Sequence, residues 1–180
     1  EYPRGLFYGG KKPCASTQIV QDHCDDWLAT SRHIVHIDLH TGLGAHGNYK
    51  LLLTESDYTE RRDWYAATFG ASHIEPLTKP DGMAYRVAGQ WGPWMQQHFQ
   101  SRNYCFAGAE FGTYGVVRVL AALRAENRAH HHGTPGSPAY LRAKKELLEC
   151  FCPASPAWRC QVIGGGLRVV EEGSVALRVS

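Results

Sequence analysis

Two segments of the chain share one form, and that form limits what the chain can fold into. Residues His33 to Gly47 read HIVHIDLHTGLGAHG: the β-branched run Ile34-Val35-His36-Ile37 leads into Asp38-Leu39-His40 and then a glycine-rich turn. Residues Arg102 to Glu110 (RNYCFAGAE) are a second apolar run, which ends on Glu110 and meets the turn Phe111-Gly112-Thr113. A buried strand that stops at a polar residue before a tight turn is how an α/β sheet presents chemistry at its carboxyl edge. Asp38 and His40 are two apart, so on a strand they face the same way.

The segments between these strands supply helices. Val20, Cys24, Trp27 and Leu28 fall on one face of a helix expected over Gln18–Thr30, with Ser16 or Thr17 as its cap. A strand is expected at Tyr49–Thr54, then a helix at Tyr58–Phe69 capped by Ser56 or Asp57, with Trp64, Tyr65 and Phe69 inward. Prolines and glycines break up the stretch to Gly92, leaving room for a short strand at Met83–Val87; a short helix then carries Trp91, Trp94, Met95 and Phe99. The aromatic segment Tyr85 to Phe99 is a candidate pocket wall or lid, although core packing is the plainer role for Trp91 and Trp94. Helices are expected at Gly115–His131, with Val117, Leu120, Ala121 and Leu123 inward, and at Pro138–Phe151, with Leu141, Leu147, Leu148 and Phe151 inward. A last helix is expected from Pro156 to Ile163, stopped by Gly164-Gly165-Gly166, since each glycine costs about 1 kcal/mol against alanine. Strands alternating with helices predict an α/β fold, and the absence of repeats or linkers predicts a single domain over residues 1–180.

Composition excludes several functions. Net charge is +2 with basic and acidic residues interleaved, which gives no electrostatic footing for nucleic acid. No apolar run reaches membrane-spanning length. The six cysteines form no Cys-x-x-Cys pair, so they read as reduced, mostly structural thiols of a cytoplasmic protein; Cys150, Cys152 and Cys160 are a weak soft-metal signal.

The chemistry concentrates at the two strand ends. Neutral His40 suits zinc, and Glu110 suits a general base that takes a proton from water and passes it to a leaving group. The plainer readings are a hydrogen-bonded structural histidine and a glutamate favouring a helix N-terminus. His46 lies in the glycine turn and is a candidate pocket residue. His130-His131-His132 read as solvated cations at a helix end.

Asp38-Leu39-His40-Thr41-Gly42-Leu43-Gly44, together with Ala109-Glu110-Phe111-Gly112-Thr113-Tyr114, resembles the zinc carboxypeptidase-like superfamily, in its bacterial domain-of-unknown-function branch. Leu6 to Gly10 and Leu123 to Asn127 also look like that branch; succinylglutamate desuccinylase and aspartoacylase are more distant relatives. The resemblance implies a three-layer sandwich of helices around a mixed, mostly parallel sheet. It implies one zinc ion held by a His-x-x-Glu pair and a later histidine, which His40 matches, and a catalytic glutamate, which Glu110 matches. Asp38, Thr41, His46, Thr113 and Tyr114 are then candidates for orienting the site or touching substrate, a peptide or an N-acyl amino acid. The chain departs from the pattern in having no His-x-x-Glu; the nearest approach is His23-Cys24-Asp25-Asp26. With the start at Glu1-Tyr2-Pro3-Arg4, the expectation is a C-terminal portion of the catalytic domain. Its other zinc ligands would lie upstream, and the isolated chain would be inactive. A non-catalytic domain that has lost the metal is the alternative.

Overall fold

The structure, a computed structural model, describes residues 2–77 and 89–179. The order of elements is α1 (Ala15–Leu28), β1 (His33–His46), β2 (Tyr49–Leu53), α2 (Glu55–Glu60), α3 (Arg62–Phe69), β3 (Ile74–Pro76), α4 (Trp91–His98), β4 (Asn103–Gly112), α5 (Val116–His132), α6 (Pro138–Phe151) and α7 (Pro156–Val179). The strand expected at Met83–Val87, and the first part of the aromatic segment from Tyr85, lie outside the described residues.

The sheet order is β1-β4-β2-β3. The β1–β4 and β2–β3 pairs are parallel, and β2–β4 is antiparallel. The fold is therefore the expected α/β sandwich around a mixed, mostly parallel sheet. Strand β4 is central and every residue of it after Asn103 is buried, which is why it reads as a continuous apolar run rather than an alternating one. Its odd positions Cys105, Ala107, Ala109 and Phe111 pack with Val35 and Ile37 of β1 against Tyr65, Phe69 and Val169, from α3 and α7. Its even positions Tyr104 and Phe106 pack with Ile34 against Cys24, Met95 and Phe99, on the side of α1 and α4. Helices thus cover both faces, and the strand period of two decides which layer each side chain joins.

Several elements differ from the sequence reading. The triple glycine does not end the last helix: α7 runs on to Val179. A Cβ on Gly165 would stand 2.9 Å from Phe111 and 3.3 Å from Tyr49, so the bare backbone lets the helix lie directly on the sheet. Tertiary packing there outweighs intrinsic helix propensity. The helix expected at Tyr58–Phe69 starts earlier and breaks at Arg61, and its cap is neither Ser56 nor Asp57 but Thr54, whose hydroxyl accepts from the Asp57 N–H. The faces of α5 and α6 are also corrected. Val117, Leu120, Leu141 and Leu148 are exposed, whereas Val119, Ala122 and Cys150 are buried, because these two helices pack mainly on each other across one narrow seam. Trp27 likewise lies 60% exposed rather than on the covered face of α1. Strand β3 is only three residues long, too short to show a pattern in sequence.

Candidate active site

Strands β1 and β4 run side by side in the same direction, with Asp38 opposite Gly108 and His40 opposite Glu110. The two strand ends singled out in the sequence are therefore direct neighbours. Asp38, His40, Gly108 and Glu110 all belong to the even face and line one pocket of about 240 Å³. Among the described residues, Leu52, Leu77, Phe106 and the segment Gly89 to Gly92 complete its lining. Gly92, the second residue of α4, lies directly over the Phe106 ring, where an added Cβ would come within 2.1 Å of ring carbon, so only glycine lets this helix form the pocket wall.

The glycine run after His40 is an excursion of the strand rather than a tight turn. Register passes from Thr41 opposite Phe111 directly to His46 opposite Gly112, so Gly42 to Ala45 bulge out of the ladder. The bulge carries the Leu43 N–H to Glu110 Oε1 at 2.9 Å. Glu110 is 9% exposed, and burial raises its pKa above the ordinary carboxylate value; the Leu43 bond and the charge of His40 act against that rise. His40 Nε2–H donates to Asp38 Oδ2 at 2.8 Å, which raises the pKa of the imidazole and lowers that of the carboxylate. One turn of the pleat back, the Tyr104 hydroxyl lies 2.9 Å from His36 Nδ1. Burial keeps that imidazole below its usual value and that phenol above its own, so the phenol is the donor and His36 the neutral acceptor.

Three of the other sequence candidates, Thr41, His46 and Thr113, bond at or beside the bulge. Thr41 donates to the Phe151 carbonyl at 2.6 Å. His46 Nδ1 donates to the Thr113 carbonyl at 2.6 Å, and the buried Thr113 hydroxyl donates to the Gly42 carbonyl at 3.1 Å. Tyr114 donates to Glu149 at 2.5 Å, with the Arg118 guanidinium 3.8 Å over its ring. None of these four lines the pocket of Asp38, His40 and Glu110. Trp91 does line it while also packing on the core beneath, so both roles weighed for it apply. The Leu43 amide was not singled out from sequence, because a backbone donor leaves no residue-type signal.

Residues 1–164 match a family described as a protein of unknown function, DUF2817. The chain belongs to this family. No curated protein and no solved structure matches the chain. The match covers both strand ends of this DUF2817 chain and all of its sheet. No helix among the described residues is long and apolar enough to cross a membrane. Donor atoms able to surround a metal ion gather in one group of three among the described residues, Cys24, Asp25 and His98, and not around His40. His40 thus offers a single imidazole beside two carboxylates, and a catalytic zinc, which takes three protein ligands, is not fully provided for by the described residues around it.

Proposed function

We propose that the complete protein is a zinc-dependent amide hydrolase of the metallocarboxypeptidase kind, in which His40 is one metal ligand and Glu110 the general base. The observation that carries this reading is the pairing of His40 with Glu110 on neighbouring parallel strands, both on the wall of one pocket at the carboxyl edge of the sheet. Bound zinc would supply Lewis-acid polarisation of a carbonyl and lower the pKa of water to about 7. Glu110, raised by burial, is suited to take the proton of the attacking water and to return it to the leaving nitrogen. The Leu43 N–H fixes one carboxylate oxygen, so the proton is handled at a defined position. Asp38 orients the His40 ring, as carboxylates commonly do for metal-binding histidines. Metal competes with the proton that Asp38 favours on that imidazole, so binding would weaken as pH falls. The remaining ligands are not gathered beside His40 among the described residues, and peptides or N-acyl amino acids are the substrate classes proposed.

The second reading is a non-catalytic domain, favoured by the His40 nitrogen that is already bonded to Asp38 and by the lack, among the described residues, of two further ligands beside it. Zinc content and turnover of the complete protein separate the two, measured on a panel of peptides and N-acyl amino acids. Glu110→Gln is expected to keep the zinc and to lose roughly 10²- to 10⁴-fold in rate, the usual worth of a general base; His40→Ala is expected to lose both. Full activity in Glu110→Gln would remove the assignment, and a zinc-free, inactive complete protein would establish the second reading.

A further inference from the structure

We propose that Cys24, Asp25 and His98 form a second divalent-metal site, a clamp between α1 and α4 that stands apart from the pocket of His40 and Glu110. The Sγ of Cys24, a carboxylate oxygen of Asp25 and a ring nitrogen of His98 lie within 4.8 Å of one another. They come from two helices, with Asp25 and His98 separated by 73 positions in the chain. Thiolate, carboxylate and imidazole are the three donor types that zinc takes, at about 2.0–2.3 Å. In a tetrahedron those bonds set donors about 3.3–3.6 Å apart. Asp25 Oδ2 and His98 Nε2 are 2.9 Å apart, so side-chain adjustments of about 1 Å close the set.

The three residues are arranged more like a site than like their separate commonplace roles. A buried cysteine alone behaves as a small hydrophobe. Here the buried thiol is met by an acid–imidazole pair on the exposed side, which leaves a fourth position to water. The His98 ring is also held in orientation. Trp94 stacks on it with centroids 5.0 Å apart and planes 13° apart, and Phe99 meets it edge-on at 4.7 Å. On binding, the S–H bond of Cys24 is replaced by a sulfur–metal bond and its proton passes to solvent, while His98 binds as the neutral imidazole. Borderline divalent ions (zinc, cobalt, nickel) suit this mixed donor set better than magnesium or calcium, which prefer oxygen.

The position of the clamp gives it a consequence. Helix α4 is eight residues long, about 12 Å, and its last residue is His98. Its first residue, Trp91, lines the pocket with Asp38, His40 and Glu110. A metal at one end therefore fixes the pocket wall from the other without touching the pocket.

The test is a cobalt(II) titration of the 180-residue chain. It follows thiolate-to-cobalt charge-transfer absorption and Trp94 fluorescence, with zinc as competitor. One equivalent is expected to bind with a charge-transfer band that zinc displaces. Cys24→Ser abolishes the band, and Asp25→Asn and His98→Ala weaken binding by at least about tenfold. Both of the latter change exposed groups and are expected to preserve the fold, so they decide the matter if Cys24→Ser does not fold. His40→Ala keeps the band, as does the variant with Cys14, Cys152 and Cys160 all changed to Ser, which removes the exposed thiols. Absence of the band, its survival in Cys24→Ser, its loss with the exposed thiols, or unchanged affinity in both His98→Ala and Asp25→Asn would overturn the proposal and leave an ion pair over a structural thiol.

Discussion

Asp57 and Glu110 are both buried carboxylates of this fold, and their surroundings are opposite. Asp57 is 1% exposed and accepts from the Arg61 guanidinium, the Tyr65 hydroxyl and the Phe106 N–H at 3.1–3.2 Å. Burial, then the negative charge of Asp57, pushes the Tyr65 phenol far above its ordinary range, so it stays a donor. Glu110 is nearly as buried but faces a pocket and receives the Leu43 N–H. A carboxylate whose lone pairs are taken up by the fold joins secondary elements together; one whose burial is poorly compensated is held ready for something that enters from outside.

The contrast can be broken by experiment. Asp57→Ala leaves a guanidinium, a phenol and an amide without their shared acceptor and is expected to cost about 3 kcal/mol in urea unfolding. A cost below about 1 kcal/mol would show that the network is not what ties α2 and α3 to β4. Glu110→Gln is expected to have a smaller effect of opposite sign in the metal-free chain. Because burial raises the pKa of Glu110, the folded state holds that proton more tightly than the unfolded one. Wild-type stability then falls as pH rises from the ordinary carboxylate value through the raised one. The glutamine variant should match wild type in acid and exceed it at neutral pH; equal pH profiles would contradict the contrast.

The smallest effect is expected at His40→Ala. The pair it removes is largely solvated, with side-chain exposures of 55% for His40 and 33% for Asp38, so the loss is at most about 1 kcal/mol. The raised His40 pKa makes that contribution complete below about pH 6.5 and lost as pH rises through the folded value. The lowered Asp38 pKa removes it again as pH falls through that group's own folded value. Unfolding at about pH 5 should therefore separate the variant from wild type more than unfolding at about pH 8.5 does.

The seam that carries the candidate site was legible because both its strands are apolar runs ending on polar residues, and period two put Asp38 and His40 on one side. Their register against Glu110 was not legible, since pairing between segments 70 residues apart leaves no local trace. The reach of α7 past Gly164 was misread because the penalty per glycine is local, while its compensation on Phe111 and Tyr49 is tertiary. Thr54 was passed over as a cap because its position at the end of a strand pattern hid its role at the start of a helix. The faces of α5 and α6 failed for a related reason. Apolar spacing marks a stripe, but only packing decides which edge of the stripe is covered.

Central strand β4 is paired on both sides, whereas β1 has a single partner among the described residues. Amide protons of β4 are thus expected to exchange with solvent more slowly than the amides of β1 that point away from β4. Glu110 rides on a strand paired on both sides and His40 on a strand with one partner. The two halves of the site are therefore expected to differ in protection from hydrogen exchange, with the carboxylate side held more firmly than the imidazole side.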